Sequence, residues 1–181
     1  QVKVEKGQVK VRAKKSELQS NKRSHLMAKR DMKDERVFVI VGGGPSGAIC
    51  AETLRAKAEF TGRILLISNE SSLPYDRPKL SKVMDAKPEA VHLRTQQFYD
   101  DNHIEVMTGN SVTSLDSQSK EISLENSTKI KFDKIYIATG STARKVSIPG
   151  ANLKNVFVLR SIKDANEINA EMNETCHVVI L

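Results

Sequence analysis

Gly42, Gly44 and Gly47 stand in the spacing G-x-G-x-x-G, with Pro45 and Ser46 between the last two. Each glycine has a physical task in binding a dinucleotide: the first permits a tight turn, the second lets a diphosphate approach the backbone, and the third lets a helix pack closely on a strand. A helix opening at Pro45 and Ser46 would present unpaired N–H groups and a partial positive charge to the phosphates. Glu70 follows Gly47 by 23 residues, about where a carboxylate accepts hydrogen bonds from an adenosine ribose. The motif does not separate FAD from NAD, because both carry an adenosine diphosphate half.

The flanking segments have the character this chemistry requires. Val37-Phe38-Val39-Ile40-Val41 is a continuous apolar run, as expected of a strand buried on both faces of a parallel sheet. The residues after Gly47 suit a helix, with Ile49, Leu54 and Ala58 on its apolar face. A second apolar run, Ile64 to Ile67, follows the Thr61-Gly62 break and ends at Ser68-Asn69-Glu70. Strand, turn, helix and strand make a βαβ unit.

Further along, Thr95 to Asn102 reads as a short helix capped by Thr95, and Ile104 to Met107 as a third parallel strand. Residues 111–138 alternate in short runs between polar turns, the pattern of an antiparallel meander whose last run, Ile135 to Ala138, stops at Thr139-Gly140. Asn155 to Leu159 is a candidate strand, Ser161 to Asn173 a capped amphipathic helix, and His177 to Leu181 a further strand. At the other end, valines alternate with polar residues on both sides of Lys6-Gly7, as in a hairpin. Residues 14–36 form a polar, basic linker, partly helical.

The chain has 181 residues and a formal charge of +7, which taken alone suggests a polyanionic partner. The charge is local: residues 1–36 hold 12 basic and 5 acidic side chains, and residues 37–181 hold 17 of each. Hydrophobic residues at 39% and charged residues at 28% describe a chain able to bury a core. No apolar run approaches the roughly 20 residues that span a bilayer. The two cysteines, Cys50 and Cys176, are far apart and lack metal-ligand spacing, so no metal site is expected, and their scarcity points to a reducing compartment. None of the four histidines has a partner at catalytic spacing. The chain opens on Gln1 rather than Met, and its natural amino terminus is expected to lie further upstream.

Three ordered motifs carry a family resemblance. Leu73-Pro74-Tyr75-Asp76-Arg77-Pro78-Lys79-Leu80-Ser81-Lys82 closely resembles the L-P-Y-x-R-P-x-L-S-K segment of FAD-dependent pyridine-nucleotide reductases of the apoptosis-inducing factor and ferredoxin-reductase type. Ile135 to Gly140 resembles their second flavin motif, and Val158 to Ser161 with Asp164-Ala165 the segment leading to their NAD-binding domain. The resemblance covers residues 37–181 and is strongest to members that carry an amino-terminal Rieske domain.

What the resemblance implies is an α/β, Rossmann-like FAD-binding domain over residues 37–174, a parallel sheet with an antiparallel meander inserted, incomplete at its carboxyl-terminal end. Residues 1–13 would be the closing hairpin of a Rieske-like domain, and 175–181 the first strand of a truncated NAD-binding domain. The cofactor would contact Gly42, Gly44, Pro45, Ser46, Gly47, Asn69, Glu70, Arg77, Lys82, Val112, Thr139, Gly140 and Arg160. Arg77 would face the diphosphate, and Lys82 the isoalloxazine, where a cation favours the reduced flavin. Val112 would lie against the adenine, Arg160 near the flavin, and Thr139-Gly140 would bring backbone to the cofactor. In some relatives the ribose acid stands at the position of Asn69, so that contact is shifted or replaced. The alternatives stay open: a solvated basic loop for Arg77 and Lys82, a strand terminus for Thr139-Gly140, a core position for Val112, a surface one for Arg160.

The function expected is electron transfer from NAD(P)H through FAD to an iron–sulfur acceptor, the protein's own Rieske domain or a ferredoxin. NAD(P)H would bind only the full-length protein, leaving this chain inactive alone. An intracellular setting, cytoplasmic or mitochondrial, is expected. A second reading is a non-catalytic dinucleotide-binding module whose basic linker meets nucleic acid or a membrane surface. The linker has no aromatic residue for base stacking, so a nucleic-acid partner is not expected. A third is half of a simple NAD-dependent dehydrogenase.

Overall fold

The computed structural model describes residues 2–12, 26–85 and 87–180. The valine alternation folds into an antiparallel hairpin of β1 (Val2–Glu5) and β2 (Gln8–Val11). Lys6 and Gly7 both take positive φ, 48° and 75°, the two-residue turn whose twist matches that of the strands.

The helix expected within the basic linker falls partly on residues 13–25, outside the described ones. Residues 26–36 form no helix and are docked on the domain. Ala28 N donates to Arg55 O at 2.9 Å, and Asp31 N to Thr61 O at 2.9 Å. These contacts satisfy carbonyls that the helix after the glycine turn (Pro45–Ala56) and its following turn leave without a partner of their own.

Four strands, β3 (Val37–Val41), β4 (Arg63–Ile67), β5 (Ile104–Met107) and β9 (Lys134–Ile137), form a parallel sheet in the order β5-β4-β3-β9. β6 (Val112–Asp116), β7 (Glu121–Leu124) and β8 (Lys129–Lys131) make a separate antiparallel sheet. The run Ile135 to Ala138, read as the last of the meander, instead leaves it and pairs parallel to β3, Val39 opposite Ile135. Its uninterrupted apolar character is that of a parallel strand, unlike the alternating runs before it.

The sheet lies between two layers. Phe38, Ile40, Ile64, Leu66 and Ile104 face the helices, packing with Ala51 and Tyr99. Val39, Leu65 and Ile67 face the meander, packing with Ile122, Leu124 and Phe132. Two covered faces explain why β3 and β4 lack polar alternation.

Helix α1 (Pro45–Ala56) keeps only Leu54 of the three expected residues against the core of the sheet. Gly47, Ala48, Ala51 and Arg55 are buried, Ile49 is 58% exposed, and Ala58 lies beyond the helix end. Gly47, Ala48 and Ala51 let the helix axis approach the strands closely. Helix α2 (Pro88–Val91) is a single turn. Helix α3 (Gln96–Asp101) is capped as expected, Thr95 accepting from Phe98 N. Helix α4 (Ile162–Glu171) begins with a reciprocal capping box of Ser161 and Asp164. Its Ile162 and Ala165 pack with Tyr75, Leu80 and Val91 beside the 3-10 helix Arg77–Ser81.

Neither residues 155–159 nor 177–180 form the expected strands. Asn155 takes φ 66°, and Val178 to Ile180 stay exposed. A strand needs a ladder partner for its backbone groups, and neither segment has one among the described residues. Among these residues no helix is long and apolar enough to cross a membrane.

Arg63 on β4 forks onto Glu105 on β5, Nε to Oε1 at 2.9 Å and Nη2 to Oε2 at 2.6 Å, and Arg30 joins at 3.3 Å. The hydrogen bond from Arg63 outweighs desolvation and holds the Glu105 carboxyl below its ordinary value. A depressed carboxylate stabilises the fold above its unfolded pKa and loses that contribution as pH falls through the folded one. Glu105→Gln should therefore flatten the decline of the unfolding midpoint from about pH 4.3 downward, measured by circular dichroism across pH.

Candidate functional site

The chain runs β3 to β4 to β5 in one direction and then returns to lay β9 on the other side of β3. Strand order reverses there, and in open α/β sheets a crevice for ligands lies outside the carboxyl ends of the strands at such a point.

The glycine turn occupies the carboxyl end of β3. Gly42, at φ 125°, donates its N–H to Ile67 O at 2.8 Å, and a Cβ there would stand 2.1 Å from Ala138 O. A Cβ on Gly47 would stand 2.1 Å from Gly42 O, and one on Gly43 2.4 Å from Ser68 Oγ. Gly44 differs, because a Cβ there would meet nothing within 4 Å. Three glycines are therefore demanded by the fold itself, while Gly44 borders open space at the amino terminus of α1. Pro45 is the first helical residue, and no acidic side chain lies in the first turn. The positive end of the helix is thus unneutralised by its own residues. Ser46 Oγ lies 2.9 Å from Tyr136 OH on β9, and both line an open apolar groove of about 530 Å³ with Ile49, Cys50 and Leu54.

The carboxyl end of β4 carries Ser68, buried, then Asn69, exposed, then Glu70. Both carboxylate oxygens of Glu70 have protein partners: Oε1 takes Arg77 Nη2, and Oε2 takes Tyr75 OH. Arg77 Nη1 also donates to Tyr75 OH at 2.6 Å and to Arg160 O at 2.9 Å. Burial first, then the bond to Glu70, pushes the Tyr75 phenol up to about 12, so it remains a donor at neutral pH. Arg160 continues the network, its Nε donating to Ser141 O at 3.0 Å. Gly140 sits beside it at φ 73°, where a Cβ would approach Arg160 Nη2 to 3.0 Å.

Of the residues expected to contact a cofactor, the fold gathers Gly42, Gly44, Pro45, Ser46 and Gly47, Asn69 and Glu70, and Thr139 and Gly140 at the carboxyl ends of neighbouring strands. Arg77 and Arg160 link the β4 end to the β9 end. Lys82 is exposed, and its Nζ turns back to Pro78 O at 3.1 Å and Ser81 Oγ at 3.0 Å. Val112 begins β6 and packs against the Val39, Leu65 and Ile67 cluster. Sequence reasoning passed over Gly43 and Tyr75. The run of three glycines and the tyrosine between two proline-flanked positions were the available signals.

An adenosine dinucleotide fits these residues: Gly44 has the room a diphosphate needs, and the α1 terminus has the donors. Among the described residues no group of three His, Cys, Asp or Glu could hold a metal ion.

The chain is similar to known proteins in sequence and in fold. Human apoptosis-inducing factor 3 is 39% identical over 173 residues, 93% of this chain and 28% of that protein. The benzene 1,2-dioxygenase system ferredoxin–NAD(+) reductase subunit of Pseudomonas putida is 42% identical over 144 residues, 78% of this chain and 35% of that protein. The chain thus spans about a third or less of these relatives. The crystal structure of NADH:rubredoxin oxidoreductase from Clostridium acetobutylicum superposes with a TM-score of 0.69 at 31% identity, covering 76% of this chain and 36% of that one. Residues 36–181 match the family described as pyridine nucleotide-disulphide oxidoreductase; the chain belongs to that family.

Proposed function

We propose that this chain is the FAD-binding part of a flavoprotein that moves electrons from NAD(P)H to an iron–sulfur acceptor. The observation that carries the reading is Gly44: one uncrowded glycine among packed ones, at a helix amino terminus beside the point where strand order reverses. The unpaired N–H groups of α1 hold the diphosphate, and Gly42 and Gly47 keep the turn tight enough to present them. Thr139-Gly140 and Arg160 border the crevice on the β9 side. FAD, when bound, would supply the redox chemistry between a reduced nicotinamide and the acceptor. Lys82 is read, on the resemblance alone, as a cation that would favour the reduced flavin. Val112 backs the adenine side from β6.

The acceptor is inferred from relatives named for ferredoxin and rubredoxin reduction and from the covalent putidaredoxin reductase–putidaredoxin complex, which resembles this chain at 28% identity with a TM-score of 0.68. Residues 1–13 are read as the closing hairpin of a Rieske-like domain, and 175–181 as the entry to an NAD-binding domain. The setting is read as intracellular, on the two free cysteines.

The test is a flavin titration. The purified chain should acquire a yellow flavin spectrum and quench FAD fluorescence on binding, whereas NAD should compete weakly. NADH oxidation should stay near the FAD-only background, because the sequence holds a single G-x-G-x-x-G turn. Tight NAD binding without flavin would overturn the reading.

A further inference from the structure

Residues 141–147 carry neither helix nor strand. The segment leaves the crevice after Gly140 and is held at its start, where Arg160 Nε donates to Ser141 O at 3.0 Å. Among the described residues, 142–147 make no backbone hydrogen bond, so nothing has to be broken for them to lie extended in another protein's groove. Arg144, Lys145, Val146, Ser147, Ile148 and Pro149 are all exposed, Val146 at 45% and Ile148 at 53%. Two cations thus stand three and two residues before a serine hydroxyl, and a proline stands two residues after it. Among the described residues, no hydrogen bond or ion pair engages the side chains of Arg144, Lys145 or Ser147. Pro149, with its fixed φ, opens a turn in which Ala151 N donates to Ile148 O at 3.1 Å, so the chain bends away just past the serine. Other serines beside cations are held differently. Ser81 follows Lys79, but it ends the 3-10 helix Arg77–Ser81 and its Oγ donates to Pro78 O at 3.3 Å. Ser161 follows Arg160, and its side chain caps α4.

We infer that Ser147 is a phosphorylation site for a protein kinase that selects basic residues, and that segment 144–149, once phosphorylated, docks in a phosphoserine-reading groove lined by arginines. Charge patterns of this kind are how kinases choose their substrates. The transfer forms a bond from Ser147 Oγ to the γ-phosphorus of MgATP and breaks the bond from that phosphorus to the β,γ-bridging oxygen. ADP departs with the electron pair, and the hydroxyl proton passes to a carboxylate of the kinase. The product gains roughly −1.5 to −2 of charge and three acceptor oxygens, which an arginine cluster binds through charge-assisted hydrogen bonds. Pro149 carries the chain out of such a groove after one further residue. Neither step depends on the dinucleotide reading above.

The experiment treats the full chain with MgATP and the catalytic subunit of cAMP-dependent protein kinase, which selects basic substrates, and maps phosphate by tandem mass spectrometry. Ser147 should be modified. Arg144→Ala combined with Lys145→Ala should lower kcat/KM at that serine about 100-fold, on the order of tenfold for each cation removed. A purified 14-3-3 protein, a reader of the arginine-cluster kind, is then titrated with the chain. Binding should appear only after phosphorylation and vanish in Ser147→Ala. It should weaken about threefold in Pro149→Ala, whose freer chain has more conformational entropy to lose. The substituted side chains are all exposed, so the variants keep the fold. An unmodified Ser147, or a rate indifferent to the two cations, overturns the proposal. So does a phosphorylated chain that the reader ignores, or binds equally well after Ser147→Ala.

Discussion

Gly44→Ala should leave the fold intact and remove the cofactor, whereas Gly47→Ala should cost the fold itself. A Cβ on Gly44 meets nothing within 4 Å, and its φ of −87° suits any residue. The change in unfolding free energy should stay within about 0.5 kcal/mol, as for other uncrowded substitutions at a surface. The methyl group would instead occupy the approach of the diphosphate. Losing two charge-assisted hydrogen bonds costs about 3 kcal/mol, or roughly 100-fold in FAD affinity. A Cβ on Gly47 would stand 2.1 Å from a backbone oxygen, which no side-chain rotation can relieve. Overpacking of that kind costs about 3 kcal/mol or more. Urea unfolding and FAD titration of the two variants check both halves. Equal losses of stability would show that Gly44 serves only the turn.

Arg55→Met should be the most destabilising single change away from the glycine turn. Arg55 is fully buried on α1, with no carboxylate partner among its hydrogen bonds. Its guanidinium donates to four backbone carbonyls: Asn102 O at 3.0 Å, Phe60 O at 2.6 Å, Gly62 O at 2.9 Å and His103 O at 2.7 Å. These carbonyls belong to the turns before β4 and β5, so one side chain ties both loops to the helix. Desolvation lowers its pKa from the ordinary arginine value, but arginine remains charged at any physiological pH. Methionine fills similar volume and leaves the carbonyls without a donor. At about 1–3 kcal/mol for each buried group left unsatisfied, and with water reaching some of them, the net loss should be about 3–5 kcal/mol. That is a large part of the roughly 5–15 kcal/mol that stabilises an ordinary domain. Arg55→Lys should recover little, since an ammonium has three donors and no planar fork. A thermal unfolding midpoint within a few degrees of wild type for Arg55→Met would refute this account.

The basic charge that dominates the composition has a structural use where it is described. Arg30 pairs with Glu105, and Arg36 with Asp34 at 2.7 Å, beside Thr61. These residues dock the end of the linker near the amino-terminal ends of β3 and β4, opposite the glycine turn. Charges spent on internal acids are less available to a polyanion, which weakens the reading of the linker as a nucleic-acid contact.

Three of the four parallel strands, the glycine turn, both capped helices and the hairpin were legible in the sequence because each is a local pattern. An apolar run, a three-residue spacing or a serine three residues before an aspartate acts within a few residues of itself. The order of β5, β4, β3 and β9, and the crevice that order opens, depended on where β9 paired. That choice rests on which sheet edge could bury Ile135, and no local pattern states it. The packed face of α1 was read only in part for the same kind of reason: apolar spacing pointed to Leu54, which packs, and to Ile49, which does not. Close contact with the sheet also selected Gly47, Ala48 and Ala51, whose lack of bulk permits the approach. The two segments expected as strands show the converse. Their composition suits a ladder, yet a ladder requires a partner edge. At the site, the spacing after Gly47 singled out Glu70 as the acid for the ribose, whereas the folded chain surrounds it with Tyr75 and Arg77. A carboxylate's role follows from which donors reach its two oxygens, and the donors here come from a proline-bounded loop and a helix start that only tertiary packing brings to the end of β4.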